Sequence, residues 1–156
     1  AERGLDWGLY NLANLLATGR GVTRDERAAF ELYRRAAGQG HAKSMNLLGR
    51  CYEEGLGTPA DPVAAYHWYR RSAEAGDFRG QFSLAGVLLA QGRFDEAVTW
   101  LERALEHGNL NFLRSARQSL RQVPDARLAG LVLAYHRRAA ELGDSSDRQA
   151  LDALSA

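Results

Sequence analysis

The sequence predicts an all-α fold: a right-handed α/α superhelix of about four helix-turn-helix units, closed by a C-terminal capping helix. Three observations carry that prediction. First, Ala65, Trp68, Tyr69, Ser72 and Ala73 stand at i, i+3, i+4, i+7 and i+8, one face of an α-helix, and Gly76 follows as a stop. Second, the same constellation recurs at Ala29, Leu32, Tyr33, Ala36, Ala37 and Gly40, at Ala97, Trp100, Leu101, Ala104, Leu105 and Gly108, and at Val132, Tyr135, His136, Ala139, Ala140 and Gly143. Third, the intervals of 36, 32 and 35 residues fall where helix-pair repeats fall, since one unit cannot bury its apolar stripe without a neighbour. The units are expected at about 5–40, 41–76, 77–108 and 109–143, within a single repeat domain spanning 1–156.

The first unit opens with the stripe Leu9, Leu12, Ala13 and Leu16, ending near Gly19 and Gly21, whose spacing suits a turn with positive φ. Its second helix starts either from a Thr23-x-x-Glu26 capping box or from Asp25. Unit two repeats the plan with Met45, Leu48, Gly49 and Tyr52, then Gly55 and Gly57, then Asp61 as N-cap and Pro62 at the first helical position. Unit three keeps Phe78, Leu84, Ala85 and Leu88 on its first helix and shortens the connection to Gln91-Gly92-Arg93. Unit four places Leu110, Leu113, Ala116 and Leu120 on its first helix, and Pro124 is expected to start its second. Arg117 there breaks the small-residue series Ala13, Gly49, Ala85, so either these two helices splay or the register slips by a residue. Ser145 to Leu154 reads as a last helix, residues 145–154, capped by Ser145 or Ser146.

Composition narrows the function classes. Nearly half the residues are hydrophobic and a quarter charged, the balance of an ordered globular chain. A net charge of +1 offers no global attraction to nucleic acid or to an anionic membrane, and no apolar run approaches the roughly 18 residues of a membrane span. Cys51 is the only cysteine, which rules out an internal disulfide and a thiolate metal site, and its neighbours are those of a buried, inert thiol. The chain starts at Ala1 without a leader. That start leaves a cytoplasmic or, after removal of a leader, a periplasmic or envelope location open.

Ala42-x5-Leu48-Gly49-x2-Tyr52-x2-Gly55-x-Gly57, continued by Asp61-x3-Ala65-x2-Trp68-Tyr69-x2-Ser72-Ala73-x2-Gly76, resembles a Sel1-like repeat. Unit one is similar through Gly19-Arg20-Gly21-Val22 and Leu32-Tyr33-Arg34-Arg35-Ala36-Ala37. Unit three, with Gly92-x-Phe94-Asp95-Glu96-Ala97, looks closer to the related tetratricopeptide repeat, and unit four is divergent. The resemblance implies a superhelix presenting a concave groove to a protein or peptide. Some cysteine-rich Sel1-like proteins are linked to β-lactam binding, a pattern from which the lone Cys51 departs. A pentatricopeptide reading, with its RNA code, fits the glycine-bearing loops and the bulky Trp68 and Tyr69 poorly.

Enzyme chemistry finds few handholds. His41, His67, His107 and His136 are scattered, and no H-E-x-x-H, G-x-S-x-G, Walker A or G-x-G-x-x-G motif occurs. His136 lies on the apolar stripe and reads as a satisfied core imidazole under the terminal helix. Glu53 and Glu54 are adjacent, so their carboxylates point about 100° apart and do not share a proton. No catalytic residue, cofactor or metal site is expected.

The working surface is therefore the groove. In helix-pair solenoids the first helix of each pair lines the concave side, and its residues outside the core stripe face a partner. Unit one offers Trp7, Tyr10, Asn11 and Asn14, unit two Lys43, Asn46, Arg50 and Glu53, unit three Arg79, Phe82 and Ser83, and unit four Arg114, Gln118 and Arg121. Asparagines hold peptide backbone, arginines grip carboxylates in bidentate fashion, and the aromatics anchor apolar side chains, so an acidic protein or peptide is the expected partner. The row resembles an incomplete carboxylate clamp of tetratricopeptide domains: Asn14 and Arg79 match, while Leu47 and Ser83 stand where the clamp has Asn and Arg. These features predict a non-enzymatic interaction module, an adaptor or scaffold. The alternatives are a dedicated regulatory, immunity or inhibitory subunit for one bacterial enzyme or toxin and, last, a cell-wall or β-lactam hydrolase.

Overall fold

A computed structural model describes residues 9–14 and 25–154. The described residues form helices joined by tight turns, without β-strands. They are α1 (residues 9–14), α2 (Glu26–Gly38), α3 (Ala42–Glu54), α4 (Pro62–Glu74), α5 (Phe78–Ala90), α6 (Phe94–His107), α7 (Leu110–Arg121), α8 (Ala129–Leu142) and α9 (Ser145–Leu154). Trp7, Leu16, the Gly19 and Gly21 turn and the Thr23 box lie outside the described residues.

Short polar side chains start several of the helices, though not α3, α6 or α8. The carboxylates of Asp25, Asp61 and Asp77 accept from the amides of Ala28 (3.0 Å), Ala64 (3.2 Å) and Gly80 (2.9 Å), and the Asn109 amide oxygen accepts from Phe112 N–H (2.9 Å). Glycine shapes the exits in two ways. Gly76 follows α4 at φ +92°, a backbone that L side chains rarely adopt, whereas Gly108 after α6 has an ordinary φ of −69°. At Gly108 the requirement is space: a Cβ would stand 2.3 Å from the Phe112 ring.

Neighbouring helices pack through the predicted stripes, except that Leu12 of α1, expected in the stripe with Leu9 and Ala13, is 45% exposed. Ala65, Tyr69 and Ala73 join Leu84, Ala85, Leu88, Ala97, Leu101 and Ala104 in one core that continues through Leu113 and Leu120 to Tyr135 and Ala139. A second cluster gathers Ala13, Phe30, Tyr33, Met45, Leu48 and Cys51. The Tyr69 ring lies on Gly49, where a Cβ would come within 2.6 Å of it, so the missing side chain sets the approach of α3 to α4. The Ser72 hydroxyl adds a tie, donating to the Ala42 carbonyl at 2.8 Å. Successive buried stripes make the chain an α/α superhelix, the architecture expected from the repeat period.

Unit four departs in three respects. Pro124 does not start a helix: it precedes a 3₁₀ turn, Ala126–Leu128, whose start is capped by Asp125, and α8 begins only at Ala129. The register of α7 holds, and its pair loosens. Phe112, Leu113, Ala116 and Leu120 are buried, Arg117 keeps the place of Gly49 and Ala85, and α7 and α8 approach less closely than α3 and α4. Finally, neither Ser145 nor Ser146 caps α9. Asp144 does, accepting from Ser146 N–H at 2.9 Å, while Asp147 reaches back to accept from Asp144 N–H at 3.0 Å.

Candidate partner-binding groove

The first helices α1, α3, α5 and α7 bound a cleft of about 420 Å³. Eight of the residues expected to face a partner line it: Tyr10, Asn14, Lys43, Asn46, Arg50, Arg79, Phe82 and Ser83, while Glu53 borders the adjoining hollow. They meet there because positions 43 and 79, or 46 and 82, are equivalent in successive units, and stacking carries equivalent positions along one wall. Asn11, Gln118 and Arg121 are exposed but outside the lining, Arg114 is drawn away, and Trp7 lies outside the described residues. The groove reading missed Asn111, Ser115 and Phe112. The signal was present for Asn111, since the 32-residue step that relates Leu84 to Ala116 places it where Lys43 and Arg79 stand.

Hydrogen bonds and ring contacts fix the lining. The Ser83 hydroxyl donates to the Asn46 amide oxygen at 2.8 Å, which orients that amide, and the Tyr33 hydroxyl donates to Asn14 across the α1–α2 pair. Phe82 meets Phe112 edge-on with ring centres 5.5 Å apart, closing the floor between α5 and α7. Arg50 pairs with Glu54 on its own helix at 3.3 Å. Arg79 rests its guanidinium 5.0 Å from the Phe78 ring and makes no ion pair among the described residues, so its N–H groups stay available to an incoming anion. Behind the wall, Tyr69 donates to Glu53 at 3.2 Å, and burial pushes the phenols of Tyr33 and Tyr69 above their ordinary range. Both remain neutral donors at physiological pH.

Arg114 leaves the groove for a buried carboxylate, which Arg117 also reaches. Asp147 on α9 is fully shielded, and Arg114 grips it through Nε (3.0 Å) and Nη2 (2.7 Å) while Arg117 adds Nη1 at 2.9 Å. Hydrogen bonding from Arg114 holds the Asp147 carboxyl far below the usual carboxylate range. Arg114 and the pattern-breaking Arg117 thus fasten the terminal helix to α7.

Burial raises the Cys51 thiol to about 11, leaving it protonated and a poor nucleophile at neutral pH. His136 is 1% exposed, its Nδ1 lies 2.9 Å from the Val132 carbonyl, and burial lowers its pKa, as befits the core imidazole expected there. Among the described residues no cluster of three or more His, Cys, Asp or Glu is placed to hold a metal. No helix there is long and apolar enough to cross a membrane.

The Sel1 repeat model matches residues 8–41, 42–77, 80–109 and 133–144, well over half of the chain. The unmatched stretch 110–132 covers α7, the 3₁₀ turn and the start of α8. No curated protein matches the chain. Among solved structures it is similar to c5321, a protective antigen of uropathogenic Escherichia coli strains displaying an SLR fold, with TM-score 0.71, 27% identity, and coverage of 94% of this chain and 32% of that one. A Sel1 repeat protein from Oxalobacter formigenes gives TM-score 0.66 and 28% identity over 94% of this chain and 62% of that one. The immunity protein Pa5087 from Pseudomonas aeruginosa gives 0.65 and 24% over 95% and 57%, a likeness of fold. The chain spans less than two thirds of each of these proteins. With the repeat model matching its first three helix pairs and part of α8, the chain belongs to the Sel1 repeat family, whose members generally serve as protein-interaction modules.

Proposed function

We propose that the four units act as one non-enzymatic interaction domain that holds an extended acidic segment of a partner protein in the cleft of α1, α3, α5 and α7. The observation that carries this reading is Arg79, a cation without a carboxylate partner among the described residues, set among the oriented amide of Asn46, Lys43, Asn111 and the Phe82 ring in a single cleft. Such a mixture matches an extended chain: amides meet its backbone, cations its carboxylates, and the ring an apolar side chain. The adjoining hollow of about 510 Å³, which shares Tyr69, Phe82 and Ser83 with the cleft, lengthens the track. A single unit would offer too few of these groups, so the reading treats the array as the functional entity.

The test is capture from native lysate with the parent and with R79E as baits. The parent is expected to retain one or a few proteins that R79E loses at least tenfold, with helical circular dichroism unchanged. Equal capture by both removes the cleft from the account. Capture of one protein at fixed stoichiometry narrows the module to a dedicated regulatory, immunity or inhibitory subunit, and capture of several through the same residues marks an adaptor.

A further inference from the structure

The terminal helix is held by a charge. α9 stands in the array where the first helix of a further unit would stand: Asp147 follows Phe112 by 35 residues and takes the place of Ser44 and Gly80, all of them buried. Among the described residues of α9 only Asp147 is buried. Leu151, at the place of the buried Leu48, Leu84 and Ala116, is half-exposed. The earlier first helices are seated by apolar side chains, whereas α9 is seated chiefly by one carboxylate. Arg114 grips it at 3.0 and 2.7 Å, and Arg117 at 2.9 Å.

By position Arg114 belongs to the cleft. Steps of 36 and 32 residues relate Asn46 to Phe82 and Phe82 to Arg114, and the first two of these line the cleft. On α7, Arg114 comes one turn after Asn111 and directly before Ser115, which also line it. The arginine side chain is 36% exposed and that of Asp147 not at all, so the guanidinium is reached from solvent while the carboxylate it holds is covered.

We infer that α9 is a displaceable latch: Asp147 fills a carboxylate site formed by Arg114 and Arg117, and an acidic partner segment that takes its place releases α9 and extends the cleft into unit four. The inference rests on the cleft reading and adds regulation to it. What the site already holds selects its occupant, a carboxylate in a two-pronged guanidinium grip. Exchange of one carboxylate for another leaves neither arginine without an anion, so the heavy cost of breaking a buried pair does not arise. The released Asp147 returns to water, and α9 gives up only half-buried apolar contacts. Being tethered, Asp147 competes at high effective concentration. A lone carboxylate therefore fails to displace it, whereas a run of carboxylates already held at Arg79 succeeds. The latch sets a threshold of acidity for entry into unit four.

Labelled octaglutamate, read by fluorescence anisotropy against the full chain, tests the inference together with hydrogen exchange of the α9 amides. D147A should bind the peptide at least fivefold tighter than the parent, and D147A/R114Q should lose that gain. In the parent, octaglutamate should speed exchange in α9, and free glutamate at the same carboxylate concentration should not. Affinity unchanged by D147A, a gain that survives R114Q, or α9 exchange that octaglutamate leaves unaltered would each overturn the latch. Were D147A to lose helix beyond α9 by circular dichroism, the exchange measurement on the parent decides by itself. R79E separates the two readings, since it should lose at least fivefold with or without D147A. Loss at R79E without a gain from D147A removes the latch and leaves the cleft standing; a gain from D147A with R79E silent removes the cleft and, with it, the extension.

Discussion

Gly49 and Asp147 show how single residues set the geometry of the array. Gly49 is small because the Tyr69 ring occupies the place of its side chain. Gly49→Leu should therefore cost about 2 kcal/mol or more by overpacking, read as a lower midpoint in urea, and a parental melt would contradict the close approach of α3 to α4. Asp147 is the reverse case, a buried charge that needs both of its cations. Asp147→Asn leaves Arg117 partly buried without its anion and should cost roughly 3 kcal/mol. Its pH dependence has a definite sign. The folded carboxyl is held below its ordinary value, so its contribution is complete above about pH 4 and is lost as pH falls further. The parent should lose stability steeply below about pH 4 in acid titrations followed by circular dichroism, and Asp147→Asn should show a shallower fall. Equal slopes would mean that the pair does not stabilise the fold. Gly49 was legible in the sequence because a small residue recurs at its place in the first three units, as Ala13, Gly49 and Ala85. Asp147 was not, since an aspartate in the first turn of a helix reads as an ordinary capping residue until the fold brings α7 against it.

At the scale of the helix, caps and stripes were readable wherever the chemistry was local. Asp61 with Pro62 marks the start of α4 in sequence and in structure, and Asp61→Ala should cost about 1 kcal/mol without altering the denaturant slope. A loss below about 0.3 kcal/mol would say that the cap bond at Ala64 contributes little. Unit four was harder for a physical reason. Pro124 suits the first turn of a helix in general, but here Asp125 organises a 3₁₀ turn and α8 waits until Ala129. Likewise Arg117 breaks a small-residue series because its partner Asp147 is on α9, 30 positions along the chain, a contact that local pattern does not encode. The helical period placed the buried face of α7 correctly even where the pair it belongs to is loosened.

For the whole molecule, periodicity did most of the work: four matching stripes specified an α/α superhelix, and with it the cleft that gathers Tyr10, Asn14, Lys43, Asn46, Arg50, Arg79 and Phe82. Which exposed arginines serve that cleft depends on contacts made elsewhere, and Arg114 is lost to it because Asp147 claims it. The most direct check on the cleft is site-specific photo-crosslinking in native lysate, with the photoreactive side chain at Ser83 inside the cleft or at Val63, 79% exposed, on α4. The account predicts a discrete crosslinked protein from Ser83 that is absent from Val63 and disappears on adding Arg79→Glu. A protein trapped from Val63 and not from Ser83 would contradict it.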